Sequence, residues 1–269
     1  MRALKRLLRG GASVEVSEAG GVRTLHLGGD AIQSAMRLSR PDRLELAYTQ
    51  AMMASLLFVP EPKAVTMIGL GGGSIARFLH RYCPSARTTV VEISPKVVAA
   101  ARSFFGLPAD DGRLEVVVGD GAKFVPAHPA SADLLLVDGF DDGVAVKSLC
   151  SAAFYDAAYE CLHEGGLLVQ NFIAEEPRFG TYLARIEARF GGRVLLLPAA
   201  DRVNNIVLAA KAGPSRYSLA RLQARARLLG RRLDLPFGAF LRDLADHNDA
   251  TANYLRFAST RAFAARQNR

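Results

Sequence analysis

The stretch Val65-Thr66-Met67-Ile68-Gly69-Leu70-Gly71-Gly72-Gly73-Ser74, followed by Val90-Val91-Glu92, decides the fold of this chain. The first segment predicts an apolar strand, a glycine-rich turn and a helix that begins near Ser74. Glycine allows a sharp backbone turn and the close approach of a ligand. Glu92 ends a second apolar strand 19 positions after Gly73, about where nucleotide-binding folds place a carboxylate for the ribose hydroxyls. The unit therefore predicts a nucleoside site that includes Gly69, Gly71, Gly73 and Glu92.

The glycine loop differs from the loops that bind phosphate. In Gly69-x-Gly71-x-x-Ser74, a serine stands where a dinucleotide-binding helix needs glycine or alanine, and no Gly-Lys-Ser/Thr follows. A nucleoside without phosphate fits better, and S-adenosylmethionine and its decarboxylated form are the obvious candidates. The alternative is a purely structural strand-to-helix turn, for which three consecutive glycines would be an unnecessary entropic cost.

Composition bounds the class of protein. The 269 residues fit one large domain or one domain with appendages, and half of them are hydrophobic. The chain has no run of about 18 apolar residues, and its charged start does not resemble a signal peptide. Its three cysteines form no pairing motif, and its five histidines lack metal-ligand spacing. We therefore expect a cytoplasmic protein without a membrane span or a bound metal.

The net charge of +8 is concentrated at the two ends of the chain. Residues 1–9 contribute +4 and residues 213–269 contribute +7, so the central part is mildly acidic. Basic ends can meet nucleic acid or anionic lipid, but no aromatic-interleaved basic motif supports that reading. We favour solvated helix faces, and expect no nucleic-acid or membrane partner. The basic C-terminal part is then an appendage or a homodimer contact.

The order of the elements predicts an α/β fold. Short alternating segments over residues 12–36 indicate a small antiparallel β unit, and a helix follows over 44–58. Near-continuous apolar strands then alternate with helices, as in a parallel sheet covered on both faces. This predicts a Rossmann-like, class I methyltransferase sheet with an antiparallel last strand in a nucleoside-binding domain over 63–212. Residues 1–62, with the β unit and a linking helix, are expected to precede it, and a basic helical extension over 213–269 is expected to follow. The strands are expected at 64–68, 88–92, 114–118, 133–137, 166–171 and 203–210, and the helices at 74–82, 95–104, 120–126, 152–163 and 178–190.

Three acids lie at the ends of predicted strands. Glu92 ends the second strand, Asp120 lies in Gly119-Asp120-Gly121 after the third, and Asp138 follows the fourth. In an open parallel sheet the ligand crevice lies outside these carboxyl ends, so the acids can contact a ribose, an adenine amino group and a charged substrate. For each acid alone, a helix N-cap or a solvated turn is an equally good explanation.

Several segments of the chain together form a recognisable pattern. They are Gly29-Asp30-Ala31-Ile32-Gln33, Tyr48, Ile68 to Gly73, Val91-Glu92-Ile93, Gly119-Asp120-Gly121, Asp138-Gly139-Phe140-Asp141, Ser148-Leu149 with Phe154-Tyr155, and Gly165-Gly166 before Val169-Gln170-Asn171. On these segments the chain resembles the spermidine synthase (polyamine aminopropyltransferase) family over roughly residues 13–210. The Ser-Leu-x(4)-Phe-Tyr and Gly-Gly-x(3)-Gln-Asn segments make the resemblance more specific than one to a general methyltransferase.

The resemblance implies roles for individual positions. Gln33 would contact the nucleoside from the β unit, Glu92 would hold the ribose, and Asp120 with Gly121 would hold the adenine. Asp138 would face the sulfonium side of the nucleoside.

On the acceptor side, the resemblance implies substrate contacts for Tyr48 and Asp141. Asp141 would orient an attacking amine or take its proton, so Asp141 and Asp138 are the expected catalytic residues. The chemistry supports this, because an ammonium ion must lose a proton before it can attack, and a nearby carboxylate can accept it. A neighbouring acid, Asp138 or Asp142, would raise the pKa of that carboxylate. The alternative is that Asp141 caps a following helix.

The chain also departs from the family pattern. Gly72 stands where the family has an aspartate, Gln50 where it has a glutamate, and Ala199-Ala200 where it has a tyrosine-containing segment. A polyamine site needs several anions or aromatic faces. We therefore expect weak spermidine synthesis from putrescine, and either S-adenosylmethionine or its decarboxylated form as co-substrate with a small, amine-type acceptor. A small-molecule methyltransferase and a non-catalytic nucleoside-binding protein remain the alternatives.

Overall fold

The computed structural model describes residues 2–7, 14–29, 31–141 and 144–259, with side chains for 14–29, 31–140 and 145–259. Asp30 of the predicted β unit, Asp142 and the basic residues beyond 259 lie outside the described residues. The chain begins with a four-stranded antiparallel sheet in the order β1-β2-β3-β4. Its strands are β1 (Arg2–Leu7), β2 (Val14–Ala19), β3 (Val22–Leu27) and β4 (Ile32–Arg37). The predicted β unit is confirmed, and it has one strand more than the sequence indicated.

The helix that was expected over 44–58 is divided in two. An α-helix, α1 (Ala47–Met52), continues directly into a 3₁₀ helix, Met53–Leu57. The 3₁₀ helix is buried and α1 is half-buried, and Ser55 donates its hydroxyl hydrogen to the Met52 carbonyl at 2.8 Å. This segment joins the N-terminal sheet to the central sheet.

The central sheet confirms the predicted fold class. Seven strands lie in the order β12-β13-β11-β8-β5-β6-β7, and only β13 runs antiparallel to its neighbours. Strand order therefore reverses between β5 and β8, which places a crevice at their carboxyl ends. The strands of this region are β5 (Ala64–Ile68), β6 (Arg87–Glu92), β7 (Leu114–Val118), β8 (Ala132–Val137), the hairpin β9 (Phe140–Asp141) with β10 (Val144–Ala145), β11 (Leu162–Ile173), β12 (Val194–Pro198) and β13 (Asn204–Ala210).

Helices cover both faces of this sheet. Along β8, Leu134 and Leu136 belong to one buried apolar cluster, and Leu135 and Val137 belong to another. A strand that is buried on both faces explains the continuous apolar run in the sequence. The helices are α2 (Ser74–Tyr82), α3 (Pro95–Phe104), α4 (Gly121–Phe124), α5 (Ala152–Cys161) and α6 (Phe179–Arg189), with 3₁₀ helices at Val125–Ala127 and Lys147–Cys150.

The C-terminal part was predicted to be helical, and among the described residues that prediction is wrong for 216–218 and for 248–259. Strand β14 (Arg216–Ser218), helices α7 (Leu219–Leu233) and α8 (Phe237–His247), and strands β15 (Asp249–Ala250) and β16 (Tyr254–Arg256) make up this part. Asn248 ends the helical run, since its side chain accepts from Leu196 N at 2.8 Å and donates to Leu196 O at 2.7 Å. These bonds tie the chain to edge strand β12 and start the small β14-β16-β15 sheet.

One apolar cluster contains residues from all three predicted domains, such as Leu25, Val65 and Phe240. The boundaries 1–62, 63–212 and 213–269 therefore remain a proposal about folding units. Within the described ranges, no helix combines the length and apolar character needed to cross a membrane.

Candidate functional site

A pocket of about 190 Å³ lies at the carboxyl ends of β5, β6, β7 and β8, where strand order reverses. Side chains from the N-terminal sheet and from α1 close it on one side. The sequence predictions meet in this pocket to a large extent. The predicted residues that line it are Gln33, Tyr48, Gly69, Gly71, Glu92, Asp120, Gly121 and Asp138.

Two glycines of the pocket allow close contacts between backbone segments. Gly69 has a φ of +91°, and a Cβ atom there would lie 2.2 Å from the Asp138 carbonyl oxygen. A Cβ atom at Gly121 would lie 2.3 Å from the Ile68 side chain. Only glycine fits either position without a shift of its neighbours. These contacts hold the ends of β5, β7 and β8 close together around the pocket.

Two other loop glycines face away from the pocket. Gly73 precedes α2, and a Cβ atom there would lie 2.8 Å from Leu107. A Cβ atom at Gly72 would lie 2.7 Å from the Ser34 hydroxyl, which itself is 3.2 Å from the Ser74 hydroxyl. Neither glycine lines the pocket. A larger side chain at position 72 would therefore start against Ser34 rather than in the pocket.

Glu92 is buried, with 7% of its surface exposed, and its carboxylate is held by the backbone. Its Oε2 accepts from Leu70 N at 2.9 Å, and its Oε1 accepts from Ser94 N at 2.9 Å. Burial raises the pKa of Glu92, and the backbone N–H groups partly oppose that rise. A carboxylate has about four lone-pair sites, so each oxygen can still accept from a hydroxyl in the pocket.

Asp120 caps a helix and also borders the pocket. Its Oδ1 accepts from Ala122 N at 2.9 Å, so it is the N-cap of α4. It also lines the pocket beside Gly121. The cap fixes the carboxylate at the rim without excluding a ligand contact.

Asp138 is held by a chain of side-chain amides. Asn171 Nδ2 donates to Asp138 Oδ1 at 2.9 Å, and Asn204 Nδ2 donates to Asn171 Oδ1 at 3.0 Å. The Tyr48 hydroxyl faces this carboxylate and donates to the Gln33 carbonyl oxygen at 3.3 Å. Burial raises the pKa of Asp138, as does the nearby charge of Glu92, while the Asn171 and Tyr48 hydrogen bonds lower it. Burial and Asp138 together raise the pKa of Tyr48 well above its ordinary value.

Sequence reasoning missed this hydrogen-bonded chain of amides. Asn171 lies in the Gly-Gly-x(3)-Gln-Asn motif, which could have indicated it. Asn204 had no sequence signal, because it reaches Asn171 only through the antiparallel register in which Ile173 pairs with Asn204.

Asp141 lies in β9, where its backbone pairs with Val144 of β10. Its side chain lies outside the described residues, as do Asp142 and Gly143. The alternative that Asp141 caps a helix is wrong, since the next helix begins at Lys147 and has Val146 as its N-cap residue. The position of the carboxylate relative to Asp138 therefore stays a prediction.

Two further departures from the family pattern also lie outside the pocket lining. Gln50 directs its amide to the Leu44 carbonyl at 2.8 Å. Ala199 is fully buried and pairs with Asn204 through its backbone. The described residues contain no group of three or more His, Cys, Asp or Glu side chains that could hold a metal ion.

Comparison with solved structures shows the class of fold to which this chain belongs. The chain superimposes on the human methyltransferase-like protein 13 in complex with SAH, with a TM-score of 0.63 at 23% identity over 71% of this chain and 94% of that one. A probable spermidine synthase from Corynebacterium glutamicum gives a TM-score of 0.69 at 21% identity over 90% of this chain and 95% of that one. The architecture is therefore a methyltransferase-like α/β fold.

Sequence comparison then shows the family. The spermine/spermidine synthase domain matches residues 45–190. The polyamine aminopropyltransferase of Chromobacterium violaceum is 41% identical over 90% of this chain and 93% of its own length. The protein of the same description from Neisseria meningitidis serogroup A is 37% identical over 92% of this chain and 94% of its own length. The chain belongs to the spermine/spermidine synthase family, and it is a transferase.

Proposed function

We propose that this protein is an aminopropyltransferase that uses decarboxylated S-adenosylmethionine and a small amine acceptor. The observation that supports it most is the convergence of Glu92, Asp120 and Asp138 on one pocket at the reversal point of the sheet. Both reactants are cationic, and a pocket lined by carboxylates suits them. The description of relatives such as the Chromobacterium violaceum protein as polyamine aminopropyltransferases agrees with this chemistry.

The nucleoside half of the pocket fits a ribose and a flat base. Glu92 is proposed to accept from the two ribose hydroxyls with the lone pairs that Leu70 and Ser94 leave free. Asp120 and Gly121 are proposed to hold the adenine edge. Ile93 is 71% exposed and lines the pocket, so it offers an apolar face to the base. Gln33 closes this half from the N-terminal sheet.

The transfer half contains Asp138 and Tyr48, with Asp141 at the start of the adjacent hairpin. The sulfonium supplies the leaving group: the amine nitrogen bonds to the propyl carbon, the carbon–sulfur bond breaks with its electrons on sulfur, and methylthioadenosine leaves. Asp138, held by Asn171, is proposed to stabilise the positive charge beside it, because a cation restores the ionised form that burial disfavours. Asp141 is proposed to accept the proton that the attacking nitrogen releases.

The methyltransferase alternative relied on the missing acid at position 72. A Cβ atom there would lie 2.7 Å from the Ser34 hydroxyl, so packing explains the glycine as well as a change of co-substrate does. The expected weakness towards putrescine relied on the same glycine together with Gln50 and Ala199-Ala200, and none of these positions lines the pocket. Putrescine is therefore the first acceptor to test.

The test is a product assay by mass spectrometry. The protein is incubated with either decarboxylated or ordinary S-adenosylmethionine and with a panel of amines that includes putrescine. The proposal predicts an aminopropylated amine and methylthioadenosine from the decarboxylated co-substrate alone. A methylated product from ordinary S-adenosylmethionine, formed at an equal or higher rate, would establish the methyltransferase alternative instead.

A further inference from the structure

A second and larger cavity, of about 720 Å³, lies at the other end of the sheet. Gly165, one of its lining residues, precedes the part of β11 that pairs in parallel with β8 from Leu167 onward. This is the amino end of those strands, whereas the nucleoside pocket lies at their carboxyl ends. The rest of the lining comes from Phe58, from the segment that leads into α7, from the first turns of α7, and from Tyr254. We call this cavity the arginine cleft.

The lining of the arginine cleft is strongly positive. Arg216, Arg221 and Arg225 line it, and the lining includes no carboxylate. Arg221 and Arg225 are four residues apart on α7, a spacing at which like charges destabilise a helix. A bound anion would relieve that repulsion, whereas a merely solvated helix face gains nothing from placing these charges around one cavity.

Two acids that are close in the sequence to residues of the cleft form ion pairs with other basic side chains. Glu164, next to Gly165, lies 3.9 Å from the Lys211 ammonium group, and Asp249 lies 3.3 Å from the Arg256 guanidinium. Burial raises the pKa of Tyr217 in the cleft wall, and the positive charges of Arg193 and Arg225 oppose that rise. A fourth arginine thus adds to the positive potential around the cleft.

Two of the cleft arginines are held in place by neighbouring groups. Arg225 donates to the Leu57 carbonyl, and the guanidinium of Arg216 lies 5.2 Å from the centre of the Tyr254 ring. An arginine has five N–H donors, so both retain donors for a ligand. A planar, pre-positioned guanidinium matches the oxygens of a phosphate group in pairs, and loses little entropy on binding.

We propose that the arginine cleft binds a phosphate chain, either a free polyphosphate or the polyphosphate part of a nucleotide. Three arginines around one cavity match a ligand with several negative charges better than a single carboxylate. Aromatic side chains in the same wall, Phe58, Tyr217 and Tyr254, offer ring faces to a base if the phosphate chain carries one.

The experiment is calorimetry with sodium tripolyphosphate at constant ionic strength. The double variant Arg216→Gln with Arg221→Gln removes two exposed cleft charges, and Arg227→Gln with Arg231→Gln removes two charges from α7 that do not line the cleft. We expect the cleft variant to bind at least about tenfold more weakly and the control variant to bind within about twofold of wild type. Melting temperatures of both variants confirm that they are folded.

Three results would overturn the proposal. They are no binding of tripolyphosphate to the wild type at millimolar concentration, equal weakening in both double variants, and displacement of tripolyphosphate by methylthioadenosine. The second would mean that bulk charge alone attracts the anion, and the third would place it in the nucleoside pocket. Titration with ATP distinguishes the two sources of the phosphate chain. If the ligand is a nucleotide, ATP binds more tightly than tripolyphosphate, and it does so only when the cleft arginines are present. If the ligand is a free polyphosphate, ATP binds no more tightly than tripolyphosphate.

Discussion

Replacing Glu92 by glutamine tests the proposed ribose contact. The carboxylate is buried, and each oxygen accepts one backbone N–H at 2.9 Å, from Leu70 and Ser94. Glutamine keeps the size of the side chain but removes the charge and turns one acceptor into a donor. A hydrogen bond to a charged acceptor contributes about 1.5–3 kcal/mol, so the loss of two ribose hydrogen bonds corresponds to about 3–6 kcal/mol. We expect Glu92→Gln to weaken methylthioadenosine binding at least about 100-fold.

The same substitution leaves a backbone N–H group facing an amide N–H group, which costs about 1–3 kcal/mol of stability. Binding is therefore measured by calorimetry at a temperature where both proteins are folded, as checked by circular dichroism. Glu115→Gln is the matched control, since Glu115 is exposed on the neighbouring strand β7 and lies outside the pocket lining. If folded Glu92→Gln binds methylthioadenosine within about threefold of wild type, the ribose assignment is wrong.

Three other predictions concern the transfer half of the pocket. Asn204→Ala frees Asn171 and, through it, Asp138, so we expect kcat to fall about 10-fold to 100-fold while methylthioadenosine affinity is retained. Asp141→Asn is expected to keep that affinity and to lower turnover about 10²–10⁴-fold, because an amide cannot accept the proton. Since burial raises the pKa of Asp138, the stability that this shift provides is present below the ordinary carboxyl pKa of about 4 and is lost as pH rises through the folded value. The melting temperature of Asp138→Asn minus that of wild type is therefore expected to increase as the pH is raised from 4 to 8, as measured by calorimetric scans.

Each of these predictions has a result that contradicts it. Asn204→Ala with normal kcat would mean that Asn171 is held by other contacts. Normal turnover of Asp141→Asn would remove Asp141 from the mechanism. A difference in melting temperature between Asp138→Asn and wild type that stays constant with pH would show that Asp138 keeps an ordinary pKa.

The central sheet could be predicted from the sequence because its strands are buried on both faces. Such strands are continuous apolar runs, as in Leu134 to Val137, and their ends are marked by glycines and acids that the crevice requires. The places of the three pocket acids could be predicted for the same reason, since Glu92 ends β6, Asp120 lies two residues after β7 and Asp138 directly follows β8. Their contacts with a nucleoside or an amine stay a prediction.

The rest depended on contacts between distant segments. The Asn204 to Asn171 bond needs the register of β11 against β13, and strands β14 to β16 need the ties that Asn248 makes to Leu196. The surroundings of Gly72 depend on how Ser34 of the N-terminal sheet packs against the glycine loop. No periodicity within a segment contains this information, and so no sequence signal indicated that position 72 packs against Ser34.

A crystal structure of the protein with methylthioadenosine and an amine acceptor tests the proposed site most directly. Both ribose hydroxyls are expected to lie about 2.5–3.0 Å from the Glu92 carboxylate oxygens. The acceptor nitrogen is expected to lie within hydrogen-bond distance of Asp138 or Asp141, on the side of the nucleoside sulfur. Nucleoside bound away from Glu92, or an amine bound away from both aspartates, would contradict the proposed site.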